Sequence, residues 1–378
     1  MKYMGSKRWM LENGLGNILE QTITHYRRFV DLFAGSGVVA SYVAKRSRIP
    51  VVAYDLQEFS VVLASAIIER CRPLAAGPLW KEWYERACRF VAKTSIISED
   101  KFTCAYVWKC RDWCQNQRRL PITNAYGGHY FSPKQAVWLD ALRATLPKEA
   151  PKKTVALAGL IQVASQCAAA PGHTAQPFQP TPTAKKFLKE AWEKDILVRT
   201  ECSLKEISQE YALRSGKAVV ADANDAAKRL QEGDLVFVDP PYSSVQYSRF
   251  YHVLETIVRG ECGQVSGVGR YPDFILRPHS KFSIKSESVA AFSTLMRTIA
   301  ERNCSVIVTF PDHECSNGLS GEFIRNIAKE FFRVKENVVT SKFSTLGGTD
   351  RSSKTGNIRS ARQHANELIL YLRPRDRK

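Results

Sequence analysis

The stretch GDLVFVDPPYSSVQYSRFYHVLETI, residues 233–257, opens as a strand and then breaks. Leu235, Val236, Phe237 and Val238 form a continuous apolar run with β-branched and aromatic members, which suits a parallel strand covered on both faces. Asp239-Pro240-Pro241-Tyr242 follows at once. Two prolines remove two backbone donors and hold the chain extended, so the ladder ends there. A buried strand thus delivers a carboxylate, a rigid kink and an aromatic ring to its carboxyl end.

Similar runs recur along the chain with helical stretches between them, the alternation of an α/β sheet. RRFVDLFAGSG is a strand running into a glycine turn, followed by the helical VVASYVAKRS. IPVVAYDLQEFS ends a second strand at Asp55, and SVVLASAIIERC is helical again. GKAVVADAND and NCSVIVTFPDH supply two more strands. FFRVKENVVTSKFSTL and NELILYLRP read as a closing antiparallel pair at the sheet edge. Between the second and third strands, residues 72–215 are too long for a crossover and too organised for a linker. They carry six of the seven Trp, the helical TVALAGLIQVASQCAAA and a Pro-rich loop at 171–183. The expected architecture is a Rossmann-like α/β domain of residues 1–71 and 216–378, with a mainly helical subdomain inserted at 72–215.

The 378-residue chain holds 55 Lys and Arg against 37 Asp and Glu, a net +18 that points to a polyanionic partner. Residues 341–378 alone have nine Lys or Arg and three acids; Arg351, Lys354, Arg359 and Arg362 are spaced through Gly- and Ser-rich sequence suited to phosphates. No apolar run approaches the ~20 residues of a spanning helix, and no signal peptide is evident. The ten cysteines are scattered and read as reduced thiols. Cys104, Cys110, Cys114 and His129 lack a CxxC pair, so no metal is expected.

The turn DLFAGSG frees backbone at Gly35 and Gly37 to approach a ligand. Asp55 ends the next strand 20 residues after Gly35, where an acid can bind ribose hydroxyls, and Asp222 ends the third, where a polar group can meet an adenine ring. With no full GxGxxG and no P-loop lysine, the ligand reads as a nucleoside without pyrophosphate, which points to S-adenosylmethionine rather than NAD. The 239–242 tetrad suits an amine conjugated to a ring. Such a nitrogen is a poor nucleophile; accepting both of its N–H hydrogens, at the Asp239 carboxylate and the Pro240 carbonyl, frees its lone pair. Pro240 and Pro241 fix the carbonyl direction, and Tyr242 offers a face for a base rotated out of a duplex.

Together these segments resemble the alpha-group, Dam-like DNA adenine methyltransferases. KYMGSKR resembles that family's amino-terminal motif, with Tyr3 and Lys7 at pocket-lining positions. DLFAGSG is similar to its first cofactor motif through Asp31 and Phe33, YDLQ to its ribose-binding acid, and DPPY to its catalytic tetrad. The order of motifs, with the insertion before the tetrad, is that of the alpha group, where the insertion recognises the target. The resemblance implies site-specific transfer of a methyl group to adenine N6 in duplex DNA, by a cytoplasmic, prokaryotic or phage-encoded monomer with no membrane contact. A restriction endonuclease or defence system as partner stays open, as does the recognition sequence. So do cytosine N4 or an RNA base as acceptor, and a non-catalytic DNA-binding module. After the tetrad, Tyr247, Arg249 and Tyr251 serve either DNA contact, for which Arg249 is the first candidate, or packing at a helix start.

Overall fold

A computed structural model describes residues 7–99, 101–344 and 362–375. Tyr3, Arg351, Lys354 and Arg359 lie outside the described residues, and of Arg362 only the backbone is described. In chain order the strands are β1 (Arg28–Asp31), β2 (Val51–Asp55), β3 (Lys217–Val220), β4 (Asp234–Val238), β5 (Val265–Ser266), β6 (Tyr271–Pro272), β7 (Ser305–Pro311), β8 (Phe332–Ser344) and β9 (Arg362–Pro374). The chain packs as two compact units: residues 57–220 with 247–279, and the rest of the described chain.

The second unit holds six strands in the order β2-β1-β4-β7-β9-β8. β1 runs parallel to β2 and β4, and β4 parallel to β7, in registers Phe29↔Leu235 and Val236↔Val306. β9 is antiparallel to β7 and β8, so the expected closing pair forms. All of β4 and β7 is buried, which explains their unbroken apolar sequence. The one charge in β4, Asp234, accepts hydrogen bonds from Arg28 of β1, Nε to Oδ1 being 2.8 Å. This is the α/β sheet expected of a Rossmann-like methyltransferase domain.

The other unit is mainly helical. Its helices include Glu58–Ile68, Ala76–Val91, Pro133–Ala144, Lys152–Cys167, Ile196–Gln209 and Tyr247–Arg259. Local sequence sets several starts: Ser132 and Gln135 form a reciprocal capping box ahead of Pro133, and Asp195 caps Ile196–Gln209. The unit is wider than the 72–215 insertion because flanking helices pack with it. Phe59 donates its N–H to the Glu255 carboxylate (3.0 Å) and lies against the Tyr251 ring, while Arg259 pairs with Glu58 (2.8 Å).

The Pro-rich loop is pinned. Tyr130 donates its hydroxyl to the Thr174 carbonyl, Thr174 donates to the Phe250 carbonyl, and Gln179 accepts from Arg111. All ten cysteines are free thiols, and burial pushes Cys110 up to about 11. Among the described residues no group of His, Cys, Asp and Glu is placed to hold a metal, and no helix is long and apolar enough to cross a membrane.

Trp83 anchors this unit, fully buried with its indole N–H donated to the Leu142 carbonyl at 2.9 Å. Trp83→Ala is expected to cost about 3–5 kcal/mol, by cavity formation and an unpaired carbonyl, read as a shift in the urea midpoint.

Candidate functional site

Parallel register brings the strand ends of the sheet-bearing unit together, and the chemistry collects there. Between β1 and the helix Val38–Arg46 the chain turns through Gly35 (φ +53°) and Gly37 (φ +72°), conformations that favour glycine. Gly35 donates its N–H to the Asp55 carboxylate (2.8 Å), and Ala34 to the Tyr54 carbonyl (2.9 Å), which lashes the turn to the end of β2. Asp31 accepts from the Phe33 N–H at 3.1 Å. The half-buried Phe33 ring meets buried Phe282 edge to face, centroids 5.0 Å apart.

Asp222, expected to meet an adenine ring, lies at the start of a short helix. Its carboxylate caps the short helix Ala223–Ala227 through the Asn224 N–H (2.8 Å), beside the Ala221 N–H donated to the Asp55 carbonyl.

Asp239 follows the last residue of β4 and is held from two sides. Thr309 donates its hydroxyl to Oδ1 (2.9 Å), as the pairing Val238↔Val308 places the two residues side by side. The Lys7 ammonium lies 3.0 Å from Asp239 and 3.1 Å from Glu367 of β9, with exposures of 5%, 18% and 17% for Lys7, Asp239 and Glu367. Lys7, expected against a cofactor, is thus bound to the tetrad acid. Burial opposes its charge, but Asp239 and Glu367 outweigh that and hold its pKa well above the ordinary lysine value. Burial raises Asp239; Lys7, the next strongest influence, pulls it down, and Glu367 pushes it up.

Pro241 is fixed in turn. The fully buried Asn317 amide donates to the Pro241 carbonyl (2.7 Å) and to the Phe282 carbonyl (2.9 Å). Ser244 donates its N–H to the Ser316 hydroxyl (3.0 Å), so residues 316–317 hold the chain on either side of Tyr242.

Asp31 is pushed up to about 8, first by burial and then, against the Phe33 N–H, by Asp239 and Asp55. Three carboxylates therefore sense one another, an arrangement that suits a cationic ligand.

Sequence reading missed Thr309, Asn317, Phe282 and Glu367. Thr309 alone had a usable signal, since aligning NCSVIVTFP beside LVFVDPPY places Thr against Asp. Arg249, from the sequence candidates, is exposed on Tyr247–Arg259 in the helical unit, while Tyr251 is 1% exposed and belongs to the core. A cleft of that unit, about 330 Å³ and lined by residues from Ser248 to Pro278, contains no tetrad residue.

Comparison with known proteins places these residues in context. The sequence pattern of the D12 class N6 adenine-specific DNA methyltransferases matches residues 3–103 and 185–307. Modification methylase StsI of Streptococcus sanguinis is 25% identical over 88% of this chain and 46% of its own length. Modification methylase LlaI of Lactococcus lactis subsp. lactis is 22% identical, over 79% and 44%. Type II methyltransferase M.NlaIII of Neisseria lactamica is 26% identical, over 79% and 80%. The chain spans less than half of the first two relatives.

Two outcomes test the electrostatics. Lys7→Met leaves two part-buried carboxylates uncompensated and should cost about 3 kcal/mol, partly recovered by adding Glu367→Gln, as measured by thermal unfolding. Asp31 ordinarily ionises near 3.8 and here near 8, so between those values the native state binds the extra proton. Its contribution to stability is present below pH 4, falls as pH rises and levels off above 8. Asp31→Asn should remove that slope from the pH series of unfolding free energies.

Proposed function

The chain belongs to the D12 class N6 adenine-specific DNA methyltransferase family, and from that premise we propose that it methylates adenine N6 in duplex DNA at a defined site, with S-adenosylmethionine as donor. The observation that carries this is the held tetrad: Asp239 clasped by Lys7 and Thr309, and the Pro241 carbonyl tied by Asn317.

The residues present fit the donor. Asp239 and Asp55 act on Asp31, whose carboxyl a bound sulfonium or ammonium would draw into its ionised form, the Gly35–Gly37 turn permits close approach of backbone, and Phe33 presents a half-buried ring. Asp55 would take the ribose hydroxyls. When bound, S-adenosylmethionine supplies an electrophilic methyl group.

Asp239 and the Pro240 carbonyl accept the two N–H hydrogens of the target amine and so turn its lone pair out of conjugation. Lys7 opposes the effect of burial on Asp239 and so favours its ionised form, the acceptor that can take the proton left on nitrogen after transfer. Pro240 and Pro241 remove the freedom that would blur this geometry, and Tyr242 offers a stacking face to the extruded base. The inserted segment 72–215 would recognise the target sequence. Arg249 and the cations Arg351, Lys354, Arg359 and Arg362 would meet phosphates. A cytoplasmic setting beside a restriction endonuclease belongs to this reading, and relatives named modification methylases fit it.

Asp239→Ala should lower transfer of labelled methyl to duplex DNA by about 1000-fold or more while leaving DNA affinity within a few-fold. Sequencing of DNA from expressing cells should show N6-methyladenine at one short motif with the wild type and none with the variant. Turnover retained by Asp239→Ala would overturn this mechanism.

A further inference from the structure

In the helical unit, β5 and β6 form a small antiparallel hairpin, Val265↔Pro272 and Ser266↔Tyr271. Tyr271 is locked in place: its hydroxyl donates to the Ala175 carbonyl (2.6 Å), and its ring centroid lies 4.9 Å from that of buried His252. Two arginines share this ring. Arg249 has Cζ 4.7 Å from the centroid, and Arg277 has Cζ 5.6 Å from it. Neither makes a salt bridge among the described residues, and the Arg277 Nε is buried with no hydrogen-bond partner. Asp273, the acid that acts on Arg277, is already engaged, its carboxylate capping the next turn through the Ile275 N–H at 3.0 Å.

That turn, Phe274–Leu276, exposes three consecutive apolar side chains, at 63%, 87% and 47%. It is nevertheless rigidly held. His279 lies against the Phe274 ring (3.7 Å between centroids) and bonds its carbonyl, while Arg259 donates to the Leu276 carbonyl (2.7 Å). Two like charges on one ring repel unless an anion joins them, and a fixed apolar tip costs free energy unless something covers it. A partner with an anionic oxygen beside an apolar face would answer both. A DNA backbone does both, with its phosphates and its sugar and base edges.

We propose that Tyr271, with Arg249 and Arg277 across its face, forms a phosphate clamp for duplex DNA, and that the Phe274–Leu276 turn packs against the adjacent sugar and base edges. The assignment rests on DNA being the substrate, and it adds a contact made by a hairpin that follows the tetrad in sequence, outside the 72–215 insertion. Arg277 is a planar donor aimed at an oxyanion, and Tyr271 orders the pair, so lysine should replace the arginines poorly.

The test is fluorescence anisotropy of a labelled duplex with the full chain, across about 50–200 mM salt, the range over which phosphate contacts dominate. Arg249→Ala and Arg277→Ala should each reduce the magnitude of the log K against log salt slope by about 1, and the double variant by about 2. Calorimetric binding of S-adenosylmethionine should stay unchanged. Arg277→Lys should keep the slope yet bind more weakly, and Ile275→Ser, at an exposed position, should weaken binding about tenfold with the slope intact. A wild-type chain that binds duplex with a steep slope shared by the double variant would overturn the clamp alone. Polyglutamate displacing the duplex as well as unlabelled DNA does would assign the clamp to an acidic protein instead. A wild type that neither binds nor methylates DNA would overturn the proposed function itself.

Discussion

The Lys7 ammonium, between Asp239 and Glu367, is the contact on which the rest of the site depends. It joins three parts of the chain: an amino-terminal segment, the carboxyl end of β4, and the antiparallel strand β9. With both acids part-buried, its removal leaves like charges facing one another in a poor dielectric, which costs more than the pair contributes when intact. The same cation pulls the tetrad acid toward its ionised form, against burial. Burial alone would favour a protonated Asp239, and a protonated acid is a poor acceptor for an amine hydrogen.

Around that contact the sheet acts as a jig. Parallel register puts the ends of β1, β2, β4 and β7 in one row, so Asp31, Asp55, Asp239 and Thr309 arrive together without any of them being close in sequence. Hydrogen bonds then remove the remaining freedom: the Asp55 carboxylate holds the glycine turn, and the Asn317 amide spans the Pro241 and Phe282 carbonyls. Donors and acceptors committed before any ligand arrives need little reorganisation when it does.

The helical unit carries a different load. Its buried aromatic residues and capped helices make a firm body, and its exposed chemistry is concentrated where Arg249 and Arg277, without a salt bridge among the described residues, meet the Tyr271 ring beside the apolar turn Phe274–Leu276. Charge composition alone pointed to the carboxyl-terminal cations in Gly- and Ser-rich sequence. It did not single out Arg277, one arginine among many, because nothing local distinguishes a paired guanidinium from an unpaired one.

By itself the sequence determined what depends on near neighbours in the chain. Continuous apolar runs marked the buried parallel strands, glycines marked the tight turn before Val38–Arg46, and two prolines marked where β4 must stop. Asp31, Asp55 and the tetrad were legible because they sit at those boundaries. Only the tertiary structure decided the partners: Glu367 reaches Lys7 across 360 residues, and Asn317 reaches Pro241 across 76. The reason is physical. Strand and turn formation are governed by local sterics and burial pattern, whereas the pairing of buried polar groups is chosen by which of them the packed chain brings within hydrogen-bond reach.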